Sequence, residues 1–66
     1  MEYTNSQIRE LIQEHIHHED DRKMLFLRLV QGKTFDQISE IVRKDVKTVR
    51  KHIHKGEEIL FRHLPG

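Results

Sequence analysis

TFDQISEIVRKDVKTVRKHIHKG, residues 34–56, reads as a short helix, a three-residue break and a second helix. Thr34 followed by Gln37 is a capping-box pattern: the hydroxyl is placed to accept from an orphan amide of the first turn, and Gln37 can reach back. Phe35, Ile38, Ile41 and Val42 recur at helical spacing and mark one buried face. The break is Arg43-Lys44-Asp45. Asp45 is a good N-cap, because its short carboxylate accepts from the first free amides and suits the positive end of the dipole. Beyond it Val49, Ile53, Gly56, Leu60 and Leu64 form one stripe, at steps of four, three, four and four. Lys47, Arg50, Lys51, His54 and Lys55 occupy the other face. Two helices joined by a short turn, the second basic on its outer face, make a helix-turn-helix signature.

Outward from this stretch, the rest of the chain supplies two more helices. Thr4 and Gln7 form another capping-box pattern, which starts a helix near Asn5. Ile8, Leu11, Ile12 and Ile16 hold its apolar face, and it should fade around His17-His18. Glu19, Asp20 and Asp21 favour a new helix start, since acids complement the dipole there. In the helix that follows, Leu25, Phe26, Leu29 and Val30 form one seam, with Met24 and Leu27 beside Arg28 and Gln31 on the opposite side. A helix apolar most of the way round belongs at the centre of a small bundle. Gly32 is a natural residue to close it in the left-handed conformation. Gly56 costs about 1 kcal/mol relative to alanine in a helix interior. Gly56 could cap a helix that ends at Lys55, but Leu60 and Leu64 keep the same stripe, so the helix is expected to run through it and to approach a neighbour closely there. The only proline, Pro65, follows the last helix. The expected fold is therefore all-α: a small four-helix domain with a C-terminal helix-turn-helix. Its helices fall near 5–17, 20–31, 35–42 and 46–62. Residues 1–66 form a single domain, with the helix-turn-helix at about 35–62.

Composition narrows the function classes. Sixty-six residues lie near the lower limit for folding without staples, and such a chain buries only about 60% of its surface. There is no cysteine, hence no disulfide framework and no thiolate chemistry. MEYTNSQIREL lacks the basic-then-apolar layout of a signal peptide. The longest apolar run, Met24–Leu27, is far short of the roughly 20 residues that span a membrane. A cytoplasmic protein with no membrane partner is expected. Net charge is only +1, but its distribution is lopsided. Residues 1–21 carry six acids against Arg9, while residues 43–55 carry six bases against Asp45. That asymmetry is a local basic footprint.

Six histidines raise the question of a metal. Helical ligands need a spacing of three or four residues to share a face. His15 and His18 qualify only if the first helix extends that far, and His52 and His54 point about 200° apart. With no cysteine and no clear carboxylate at ligand spacing, no metal site and no cofactor is expected. Ser6 and Ser39 lie in helical contexts, and no glycine-rich nucleophile turn exists. Gly32-Lys33-Thr34 imitates the end of a phosphate-binding loop but lacks the upstream glycine and strand. No catalytic residue and no enzyme is read here.

The residues point instead to double-stranded DNA. A helix beginning at Val46 would enter the major groove, where residues of the first turns reach deepest. Val46, Lys47, Arg50 and Lys51 are the candidates for base edges, and Arg or Lys there favours guanine O6 and N7. Lys33, Thr34, Arg43, Lys44, His54 and Lys55 are the candidates for phosphates that set register. The competing class keeps the fold as a protein-interaction module. Met24 and Leu27, the acidic first helix and a total charge near zero favour it.

The run from Thr34 to Leu64 resembles region 4 of the sigma-70 family, the part of a bacterial sigma factor that reads the promoter −35 element. The likeness rests on Thr34, the Gln37-Ile38-Ser39 triplet, Thr48-Val49 and Leu60, with Arg22-Lys23-Met24-Leu25 through Gly32 similar to the preceding helix. It covers roughly residues 19–64. Arg43 stands where the family usually has the turn glycine, Lys44 where it has an apolar residue, and Gly56 where it has alanine. Lys47 and Lys51 replace the acidic and glutamine base-reading residues of primary sigma factors. LuxR-type output domains, with their own Thr-Val-x-x-His-Ile run, are the second likeness. The sigma resemblance implies RNA polymerase, at the flap of its β subunit, as a further partner. It also implies a standalone regulator of the kind found in phages and prophages of low-GC Gram-positive bacteria, since the chain has no room for the −10-binding region. Monomer and homodimer both remain open.

Overall fold

The computed structural model describes residues 3–63. Its elements are α1 (Asn5–His15), α2 (Glu19–Leu25) running on into a π-helical turn (Phe26–Val30), α3 (Phe35–Val42) and α4 (Val46–Arg62). No strand occurs among the described residues. Leu64 and Pro65, assigned above to the end of the last stripe and beyond it, lie outside the described residues.

The helix starts are made by the expected caps. Gln7 N–H donates to Thr4 Oγ1 at 3.2 Å, and Thr4 N–H to Gln7 Oε1 at 2.8 Å. The same reciprocal pair recurs at Thr34 and Gln37, at 3.1 and 2.9 Å. Asp45 Oδ2 accepts from Lys47 N–H at 3.2 Å. His18, before α2, makes no side-chain cap. Glu19, Asp20 and Asp21 in the first turn of α2 take the electrostatic part of that role.

The first helix stops at His15, two residues short of the expected 17. Ile16 turns extended (φ −111°, ψ 118°), which drops its side chain into the core. The carbonyls exposed by that early stop are taken from a distance: the Arg22 guanidinium donates to Ile16 O and, at 2.9 Å, to Gln13 O. A side chain of α2 thus closes the C-terminus of α1, whose last carbonyls have no intrahelical partner.

The second helix begins at Glu19 and keeps its place at the centre, packed against α1, α3 and α4. Its faces differ from expectation. Met24, Leu25 and Leu27 are buried, whereas Phe26, Leu29 and Val30 are partly exposed. Met24 is covered because a central helix is enclosed on more than one side. Beyond Leu25 the repeat widens: Gln31 N–H donates to Phe26 O, five residues back, at 3.2 Å. An i→i+5 turn advances the side chains by less per residue, so faces counted on the α-period drift. Gly32 closes the turn at φ 68°, and Lys33 N–H returns to Leu27 O at 2.9 Å.

α3 ends as the turn requires. Arg43 is left-handed (φ 57°, ψ 44°), a conformation that costs a residue with a Cβ roughly 1–2 kcal/mol. Ser39 stitches the bend: its carbonyl accepts from Lys44 N–H at 3.2 Å, and its hydroxyl donates to Lys44 O. Of the four apolar residues expected on the inner face of α3, Ile38 is fully buried and Phe35 and Val42 are half-buried. Ile41 is 44% exposed, because this two-turn helix meets the core along a narrow strip.

α4 carries the stripe that closes the core. Val49, Ile53, Gly56 and Leu60 are all buried. At Gly56 the helix runs on unbroken, as expected, and a Cβ there would stand 2.5 Å from Leu25 Cδ1. The missing side chain lets α4 seat directly on α2, and that contact fixes which face of α4 turns outward.

Candidate nucleic-acid interface

Because Val49, Ile53 and Gly56 face inward, helical geometry sends Lys47, Arg50, Lys51, His54 and Lys55 outward, and all five are exposed. From Val46 through Lys55 there is no acid. The positive end of the α4 dipole adds to this field. Val46 opens α4 and is half-buried, with only part of its side chain available to the outer face.

Lys33 is half-buried and Thr34 exposed at the start of α3, where the Thr34 hydroxyl is already engaged as the cap. Arg43 is exposed at the bend. Lys44 leans the other way, its Nζ 3.7 Å from Asp20 Oδ2. Lys55 and Lys51 lie on the side of α4 that borders a groove of about 500 Å³ shared with His15, His17, His18 and His52.

Two side chains not counted above as site residues, Phe35 and Arg28, draw part of this surface together. Phe35 is the first residue of α3 and half-buried. Over its ring lie the guanidinium of Arg28, at 4.4 Å, and that of Arg50, at 5.5 Å. The His54 ring is tilted against it at 5.9 Å. Arg28 is itself anchored, donating to Lys33 O at 3.0 Å. The sequence marks Phe35 as a core residue and places Arg28 on the side of its helix opposite the apolar seam. A cation over an aromatic face pairs residues far apart in sequence, so no local spacing announces it.

Four of the histidines have other partners. His52 Nδ1 is 2.9 Å from Asp21 Oδ1, His15 and His63 stack in parallel at 3.7 Å, and His54 Nδ1 is 3.7 Å from Glu57 Oε1. Since α1 stops at His15, His15 and His18 do not share a helical face.

The family model described as "Sigma-70, region 4" matches residues 18–60. That span contains the central helix, α3 and α4 up to Leu60, close to the stretch that carried the resemblance. It leaves the LuxR-type likeness without support. No curated protein and no solved structure matches the chain.

Proposed function

The chain belongs to the sigma-70 region 4 family, and we propose that it acts as a sequence-specific DNA-binding transcription regulator. The family's fold is a non-enzymatic DNA-binding one. The role proposed here is accordingly binding, exerted where promoter DNA lies, in the cytoplasm. The observation that carries the reading is the acid-free outer face of α4, with Lys47, Arg50, Lys51, His54 and Lys55 all exposed just beyond the Asp45 cap.

In this reading α4 lies in the major groove. Lys47, Arg50 and Lys51 meet base edges, with guanine O6 and N7 the favoured acceptors, and Val46 adds an apolar edge contact. Lys33, Thr34, Arg43, His54 and Lys55 hold phosphates on either side. Lys44 reaches a phosphate only by leaving Asp20, so it contributes least.

Fluorescence anisotropy with a labelled duplex, repeated at several salt concentrations, tests the proposal. Affinity should fall steeply with salt, with a slope of several released ions. No measurable duplex affinity at low salt would overturn it.

A second reading is docking on a protein, with the β flap of RNA polymerase as the partner that the sigma resemblance implies. Met24 and Leu27 no longer support it, since both are buried. What favours it is the exposure of Ile41 (44%) and Phe61 (58%). Binding of the isolated flap, lost on Phe61→Ala with duplex affinity unchanged, would establish it alongside DNA binding.

A further inference from the structure

We propose that Phe35 is a specificity-determining positioning residue: its ring is the shelf that holds the Arg50 guanidinium ready for a guanine edge. The inference rests on the DNA-reading proposal and sharpens it.

The shelf is built from the chain upward. The Thr34–Gln37 capping box fixes the first residue of α3, and that residue is Phe35. Arg28 clamps the ring at 4.4 Å while its own guanidinium is tied to Lys33 O. Phe35 also packs against the core, so the ring is held from two sides and Arg50 comes to it. At 5.5 Å from the ring centroid, the Arg50 guanidinium lies within the roughly 6 Å over which a cation is drawn to an aromatic face. Neither Arg28 nor Arg50 has an ion-pair partner among the described residues. The Phe35 ring is thus the contact that holds the Arg50 guanidinium among the described residues, and the guanidinium N–H groups remain unspent.

An arginine on an exposed helix face otherwise samples many rotamers, and ordering it on binding lowers affinity. Stacking orders it beforehand. A planar fork held in one plane also suits the two acceptors of guanine better than a freely rotating one. A lysine in place of Arg50 would still be drawn to the ring, but its ammonium is a point charge with no donor plane to present to the two guanine acceptors.

The test compares the unmodified protein with Phe35→Leu, Phe35→Tyr, Arg50→Ala and the Phe35→Leu/Arg50→Ala double variant. The probes are the duplex enriched from a randomised library by the unmodified protein and a scrambled duplex of the same composition. Phe35→Leu should weaken the enriched duplex by about two- to fivefold, the worth of an exposed cation–π contact, with no change on the scrambled one. Phe35→Tyr should restore it. In the Arg50→Ala background Phe35→Leu should change nothing further, because the shelf then has nothing to hold. A loss that is equal on both duplexes, or that persists in full without Arg50, overturns the shelf while leaving base reading intact. If Arg50→Ala itself weakens both duplexes equally, base reading by this residue fails and the shelf falls with it. Nuclear magnetic resonance of the unmodified protein needs no variant to fold. The Arg50 Cδ protons should be displaced upfield by the ring, and unshifted resonances overturn the inference.

Discussion

Along α4, Val49, Ile53, Gly56 and Leu60 close against the other helices, while Lys47, Arg50, Lys51, His54 and Lys55 stand in solvent one side-chain step away. The inner face is held by shape. At Gly56 not even a methyl group fits without moving Leu25. The outer face is held by few contacts, and among the described residues only Arg50 and His54 of that face rest on a neighbouring ring. The contrast separates stability from recognition on a single helix. Changes inside should unfold the protein without touching its discrimination. Changes outside should alter binding without touching its melting.

The strongest way to break that separation is Ile53→Ala. It removes a fully buried side chain and should cost about 2–5 kcal/mol. A domain of this length has only about 3–10 kcal/mol in all. Thermal unfolding should show a collapse of the melting temperature, and a near-normal melt would mean that the inner face is not the core.

Arg50→Ala is the opposite case. It should leave melting unchanged, reduce binding to the preferred duplex by about 1–3 kcal/mol and flatten discrimination at one or two base pairs. Lys55→Ala sharpens it, since a phosphate contact should weaken all duplexes alike and lower the salt slope by about one ion. Anisotropy at several salt concentrations reads both, and identical losses on preferred and scrambled duplexes for Arg50→Ala would remove base reading.

Gly56→Ala sits between the faces. Alanine favours the helix by about 1 kcal/mol, but displacing the buried Leu25 costs about 1–3 kcal/mol, so a net loss of roughly 1 kcal/mol is expected. The sign should reverse in a Leu25→Ala background, where the space exists. A stabilised Gly56→Ala in the native background would show that α2 yields more easily than its burial implies.

Asp45→Ala removes the cap on which both faces are phased and should cost about 1 kcal/mol in a denaturant melt. The smallest effect belongs to Arg43→Gly. Relief of the left-handed strain is partly offset by the greater freedom of glycine in the unfolded chain, leaving a gain of about 0.5 kcal/mol. Its duplex affinity should drop if Arg43 holds a phosphate. A destabilised glycine variant would contradict the φ of 57° at Arg43.

What the sequence determined by itself is local. The two capping boxes, the Asp45 cap, the left-handed Gly32 and the passage of α4 through Gly56 each follow from residues a few positions apart. Their hydrogen bonds close within one turn. The basic outer face was equally legible, because the apolar stripe of α4 leaves it no other direction. Tertiary structure decided whatever depends on a partner remote in sequence. The Arg22 guanidinium serves the carbonyls of Gln13 and Ile16 left open where α1 stops. Enclosure on several sides buries Met24, and the π-helical turn shifts the faces after Leu25. Asp20 draws Lys44 back, and Phe35 gathers Arg28 and Arg50 over one ring. Such contacts form only once packing has brought three helices to the same point, and no periodicity within any one of those helices encodes where that point lies.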